Sequence, residues 1–174
     1  WVVCVAELRS LQESAFLEVM NSAPVVNGVV TDYLDDPVDA VRILSFLGGD
    51  GSGLQVRAVR GARSALQEII RSGAPITDLV PHLAGAVRRP SLVDGAIRWG
   101  LEAAADDLPA VRLIVAWSEL TEKMPRRLRP CANPDCTKFL IDHSKPNSAR
   151  WCSMATCGNR LKARRYQARH AAEG

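Results

Sequence analysis

Histidines, aromatics and long apolar runs are all scarce in this sequence, and each shortage closes off a class of function. Three histidines and 5% aromatic residues among 174 leave little for imidazole-based catalysis or an extended base-stacking surface. The longest strongly apolar run, Leu113 to Trp117, is far below the roughly 18 residues of a membrane span. No charged-then-apolar leader opens the chain, which starts at Trp1, so its first residues carry no weight. A cytoplasmic protein without a membrane partner is expected. No serine sits in a nucleophile-elbow setting and no carboxylate pair is flanked by other catalytic types, so no enzyme is expected. Gly48-Gly49-Asp50-Gly51-Ser52-Gly53 is not followed by Gly-Lys-Ser/Thr, and reads as a flexible linker rather than a phosphate cradle. No internal repeat is found. What remains, 47% hydrophobic and 24% charged, is the composition of a soluble globular chain.

The charge is unevenly placed. Residues 1–125 hold 11 basic and 16 acidic residues, a net −5, whereas residues 126–174 hold 11 basic and 3 acidic, a net +8. A short segment so charged is an electrostatic footprint for a polyanion, most often nucleic acid. Four of the five cysteines fall in the same segment: Cys131, Cys136, Cys152 and Cys157, spaced C-x4-C-x15-C-x4-C. Two short pairs separated by a mid-length insert suit one tetrahedral zinc. The cytosol disfavours disulfides, and so small a basic segment needs a metal to fold. An iron-sulfur cluster is the alternative four-thiolate occupant. His143 could replace a thiolate, but four cysteines already fill four positions. Cys4 has no partner at motif spacing and reads as a small buried residue.

Apolar spacing and punctuation predict helices over about 7–20, from Asp36-Pro37 onward, over 54–72, and from Leu108-Pro109 to Pro125, with a shorter one after Thr77-Asp78. Pro24 to Gly28 marks a turn, and Ser91–Gly100 alternates around Asp94-Gly95 as short strands would. On the 54–72 helix Arg57, Arg60, Arg63 and Arg71 are expected mostly outward. The fold class is therefore mainly α with minor β: a helical domain over 1–125, then a small treble-clef or ribbon-like zinc module over 126–174. Within that module Thr137–Ile141 has β character, Asp142–Ser148 is rich in turn formers, and Ala149-Arg150-Trp151 returns toward the metal. The insert is expected to be a hairpin, with Phe139 and Trp151 over the metal and a helix capped by Ser153.

The run Arg150-Trp151-Cys152-Ser153-Met154-Ala155-Thr156-Cys157-Gly158-Asn159-Arg160, with Lys162-Ala163-Arg164-Arg165-Tyr166, resembles the CGNR zinc-finger family over about Arg129 to His170. Upstream, Phe16-Leu17-Glu18-Val19-Met20-Asn21-Ser22 resembles the opening of that family's usual partner, the ABATE domain. The resemblance implies a bacterial transcription regulator whose zinc module binds DNA, and so is nucleoid-associated when bound, while the larger domain senses a signal. On the residues themselves, a helix from Ser153 puts Lys162, Arg165 and Arg169 on one face and Arg160 and Arg164 on another, a basic rod suited to a groove. Arg160, Arg164 or Arg165 would read bases, and Lys162, Arg169, Arg150 and Lys145 would hold phosphates. Arg160 could equally brace the knuckle, and Asn159 and Gly158 read as structural. The expected function is a zinc-dependent DNA-binding transcriptional regulator with one structural zinc. RNA binding and a zinc-stabilised protein-interaction module are the alternatives. Asn21, Arg57 and Arg60 are candidates for a small-molecule effector site, and a homodimer would lengthen the DNA site.

Overall fold

The computed structural model describes residues 5–171, with side chains for residues 13–164 and for Gln167. Cys4 lies outside the described residues. Helix α1, Val5–Met20, brings Phe16, Val19 and Met20 into the core. A two-residue turn at Asn27-Gly28, both at positive φ, joins β1, Val25–Val26, to β2, Val29–Val30. Helix α2, Pro37–Ser45, begins as its sequence dictates: the Asp36 carboxylate accepts from the N–H of Val38 at 2.8 Å and of Asp39 at 3.0 Å, and Pro37 fills a position needing no donor. Helix α3, Gly53–Ser72, stops at Gly73 in the left-handed conformation. A 3-10 stretch, Ile76–Leu83, leads into a long hairpin, β3, Val87–Val93, and β4, Ala96–Glu102. Helix α4, Leu108–Lys123, buries Val111, Leu113, Ile114 and Leu120, the central position its continuous apolar run requires. Then come β5, Leu128–Pro130, paired antiparallel with β6, Phe139–Ile141, a π-type turn at Met154–Gly158, and helix α5, Asn159–Ala171. The composition is thus mainly helical with small two-stranded sheets.

Three expectations are corrected. The glycine-rich segment is a packed corner, not a flexible linker: a Cβ on Gly51 would meet the Val41 backbone nitrogen at 2.8 Å, and one on Gly49 the Pro109 ring at 3.0 Å. Gln55 locks that corner, accepting from Asp50 N–H at 2.8 Å and donating to Ala105 O at 3.2 Å. Arg63 does not face outward. It is 5% exposed, and its guanidinium donates to the Ser22 hydroxyl and to both carboxylate oxygens of Asp32, at 3.0 and 2.5 Å. Burial works upward on the Asp32 carboxyl, but the hydrogen bond from Arg63, then the Leu34 N–H and the charges of Arg63 and Arg60, hold it below its ordinary value.

Finally, the insert between the cysteine pairs does not form its own hairpin. It supplies only β6, and the partner β5 comes from upstream of the first cysteine. The reason is the knuckle itself. Its turn reverses the chain at Cys131–Cys136, so that Cys131 N–H reaches Lys138 O at 2.9 Å and continues the ladder. The returning segment reaches the knuckle through a single backbone–backbone bond among the described residues, Ala132 N–H to Arg150 O at 2.8 Å, and adds no strand. Phe139, Ile141 and Leu128 pack in the same apolar cluster as Phe16, Leu66 and Leu113. No helix among the described residues is long and apolar enough to cross a membrane.

Candidate metal centre

Each cysteine pair is positioned by a separate local device. Cys131 follows directly on β5. Asn133, buried, then bends the first knuckle, its side-chain oxygen accepting from Asp135 N–H at 3.3 Å and its backbone carbonyl from Cys136 N–H at 2.9 Å. Cys152 lies in extended chain just before the π-type turn. Ser153 caps that turn by accepting from Thr156 N–H at 3.4 Å, and Cys157 lies within the turn, separated by Gly158 alone from the start of α5 at Asn159. Gly158 leaves room for the Met154 side chain: a Cβ would stand 2.9 Å from its sulfur and 3.3 Å from the Trp151 ring, so a larger residue requires Met154 to move.

Together these devices bring the four Sγ atoms within 4.8 Å of one another. Cys136 and Cys152 are 3.7 Å apart and Cys152 and Cys157 3.6 Å. A tetrahedron with zinc–sulfur bonds of about 2.3 Å has edges of about 3.8 Å, whereas a disulfide closes to about 2.05 Å. The donor set therefore fits one tetrahedral zinc ion, and all four thiols are free. Two donors support the sulfurs from outside: Cys152 N–H to Cys131 Sγ at 3.4 Å, and the Asn133 amide to Cys157 Sγ at 3.5 Å.

Electrostatics call for a cation among these sulfurs. Burial, followed by its hydrogen bond with Cys157 and repulsion from Cys136, pushes the Cys152 thiol well above its ordinary value, and burial also raises Cys136. At Cys157 burial works upward too but is outweighed by donation from Asn133 and the neighbouring thiols, which takes it down to about 7. Four such sulfurs cannot all ionise without a cation between them. A bound zinc ion would supply that charge and would tie β5, the knuckle and the start of α5 together.

The loop after β6 is built on Asp142, which is fully buried. Its carboxylate accepts from the N–H of Ser144 and of Ala149, each at 2.8 Å, and from Arg129 at 3.2 Å. Hydrogen bonding from Ser144, assisted by Ala149 and Arg129, holds it below the usual carboxylate range against burial. His143 on this loop is no metal ligand. It pairs at 3.0 Å with Glu13 of α1.

The basic residues singled out from the sequence divide into three groups. Arg150, Arg160, Lys162 and Lys145 are exposed, with Arg150 over the Trp151 ring at 5.3 Å. Arg164 is exposed but bonded to Asp135 of the knuckle at 2.5 Å. The side chains of Arg165 and Arg169 lie outside the described residues. Asn21, Arg57 and Arg60 are not brought together. Asn21 accepts from Phe139 N–H at 2.7 Å and donates to Phe139 O at 3.1 Å, while Arg60 is paired with Asp32 and Asp35 at 3.1 and 2.5 Å and Arg57 faces solvent. A cavity of about 260 Å³ lies elsewhere, among Phe16 and Glu13 of α1, Leu101 of β4, and Val115, Ala116 and Leu120 of α4.

Sequence reasoning missed the seam around β6. Besides Asn21, the Thr137 hydroxyl donates to Ala23 O at 2.9 Å, and Arg71 donates to Thr137 O while lying over the Phe139 ring at 4.4 Å. The signal the sequence offers is Asn21 at a helix end, whose position suits a ligand group as well as a strand partner.

Residues 127–170 match the model of the CGNR zinc finger family. The match contains all four cysteines and the sulfur-supporting Asn133, and with their geometry marks a zinc-binding module. It does not extend to Phe16–Ser22, where the ABATE resemblance was seen. No curated protein matches the chain.

Proposed function

We propose that the zinc-loaded chain is a transcriptional regulator that binds duplex DNA through the exposed basic face of α5 and the adjoining segment at Arg150. The observation that carries this reading is the anchoring of that helix. α5 starts at the residue after the Cys157-Gly158 pair, so zinc fixes its direction while Arg160 and Lys162 stand exposed on its first turns. A helix held at one end by a metal, with its positive side chains projecting, suits a major groove. Zinc is structural in this reading, since four thiolates leave no open position for a reacting water, and the protein is not an enzyme.

Within the zinc module the described aromatic residues favour DNA over single-stranded RNA. Phe139 is buried under Arg71 and Trp151 is half-buried beside Arg150, so neither offers a stacking face. An effector has the cavity beside α1 and α4 available. Glu13 on its wall holds His143 of the zinc module, which gives a bound molecule a route to the DNA-binding end. The test is selection of zinc-loaded protein against random duplex DNA at two salt concentrations. Enrichment of a motif, lost in Cys157→Ser, supports the reading. Equal retention by chelated protein would sink it.

A further inference from the structure

Among the described residues the β3–β4 hairpin is exposed along almost its whole length, touching α4 only near Leu101 and Arg88. Alternation puts Pro90, Leu92, Ile97, Trp99 and Leu101 on one face, together with Arg88, and Arg89, Arg98, Gly100 and Glu102 on the other, together with Val87 and Val93. On the apolar face Leu92, Ile97 and Trp99 remain 76%, 66% and 64% exposed. A two-stranded ribbon is marginally stable by itself in water. The two edges of this one are unlike. Its two-residue turn, Asp94-Gly95 with both φ positive, closes on a hydrogen-bonded pair, Val93 with Ala96, so bonded and non-bonded pairs alternate from there. The pair Pro90–Trp99 is then non-bonded, with both backbone nitrogens directed outward. On the β3 edge that position is proline, which has no N–H to offer, so the edge is blunted. On the β4 edge Ile97, Trp99 and Leu101 direct N–H and C=O groups outward, and no described residue outside the hairpin bonds to their backbone.

Gly100 adds an independent observation. It lies mid-strand at an ordinary φ, and a Cβ there would meet nothing of this chain closer than Arg89 O at 3.8 Å. A mid-strand glycine weakens a strand and marks close approach by something else. We propose that a second copy of this chain adds antiparallel to the open edge of β4, about a two-fold axis at Gly100, making one four-stranded sheet across a homodimer. The register is set by charge. With Gly100 opposite itself, Arg98 of each copy lies directly across from Glu102 of the other, and Trp99 across from Leu101, whose outward backbone groups become a bonded pair on each side of the axis. Centring on Trp99 instead would set Arg98 across from Gly100 and only diagonal to Arg98 and Glu102 of the second copy, with no direct ion pair. The closed two-fold consumes both open edges, so the sheet does not propagate. This interface does not depend on nucleic acid and is tested without it.

The experiment is sedimentation equilibrium of the zinc-loaded full chain, with circular dichroism as the check on folding. Wild type is expected to be dimeric. Arg98→Glu and Glu102→Arg should each weaken the dimer about tenfold by opposing like charges at two symmetric positions. The double exchange, Arg98→Glu with Glu102→Arg, should restore it. Arg98 and Glu102 are both exposed, but Glu102 also pairs with Arg89 of β3 at 2.9 Å, a surface contact of little weight, so Arg98→Glu is the cleaner variant and circular dichroism must show Glu102→Arg still folded. A monomeric wild type overturns the proposal. So does a dimer indifferent to Arg98→Glu, which would mean packing through the apolar faces, or a double variant that stays as weak as the singles.

Discussion

Asn21→Ala tests how the zinc module is held to the helical part. The Asn21 side chain imitates a neighbouring strand, giving an acceptor to Phe139 N–H at 2.7 Å and a donor to Phe139 O at 3.1 Å. Its removal leaves two backbone groups unpaired beside a side chain that is 1% exposed. Each unsatisfied buried group costs about 1–3 kcal/mol, and because Asn21 is only half-buried the lower end applies, about 2 kcal/mol in total. Small proteins lose about 1–3 kcal/mol per molar urea, so the midpoint should fall by about 1 M. The assay is urea unfolding of zinc-loaded protein followed by tryptophan fluorescence. Asn21→Asp is the sharper variant. It keeps an acceptor for the N–H but sets a second oxygen against the Phe139 carbonyl, so at neutral pH it should cost more than alanine. If Asn21→Ala moves stability by less than about 0.5 kcal/mol, or aspartate is the milder change, the paired geometry is not what holds β6.

Three further outcomes are expected. Asn133→Ala removes the donor to Cys157 Sγ and should lower zinc affinity about tenfold in competition with a chromophoric chelator; unchanged affinity would show that the bond does not tune the site. Asp32→Asn breaks the ion pair with buried Arg63 and should cost about 3 kcal/mol by urea unfolding. Because the folded carboxyl lies below its unfolded value of 3.8, its contribution is present above that value and is lost as pH falls through the folded one. The variant should lack that acid-side loss, and a parallel acid profile would refute the assignment. Asp135→Asn releases Arg164, an exposed pair worth under about 1 kcal/mol, and should tighten duplex DNA binding about twofold at low salt. Weaker binding would mean that the pair positions Arg164 rather than competing for it.

Much of this molecule is legible because its signals are local. Asp36-Pro37 starts a helix through bonds two and three residues away, Asp94-Gly95 closes a hairpin on adjacent residues, and the C-x4-C pairs form turns whose length alone suits a metal. Such devices work within one or two turns of chain, so residue identity suffices to read them. The CGNR run was legible for the same reason, and the match over residues 127–170 agrees with it.

What required the tertiary structure are choices among distant partners. Arg63 had the spacing of a surface residue, and only the approach of Asp32, 31 residues away, makes its burial tolerable. Asn21 had the look of a ligand group at a helix end, yet its partner Phe139 lies 118 residues away. The strand partner of Phe139–Ile141 was assigned to the wrong side of the knuckle, because β propensity says that a segment is extended and not which segment it meets. Sequence by itself determined the helices, the turns and the four sulfurs that can share one ion. Which charges are buried, which strands pair, and the joining of the zinc module to the helical core were decided by packing, since the free energy of those contacts belongs to pairs that chain order does not make neighbours.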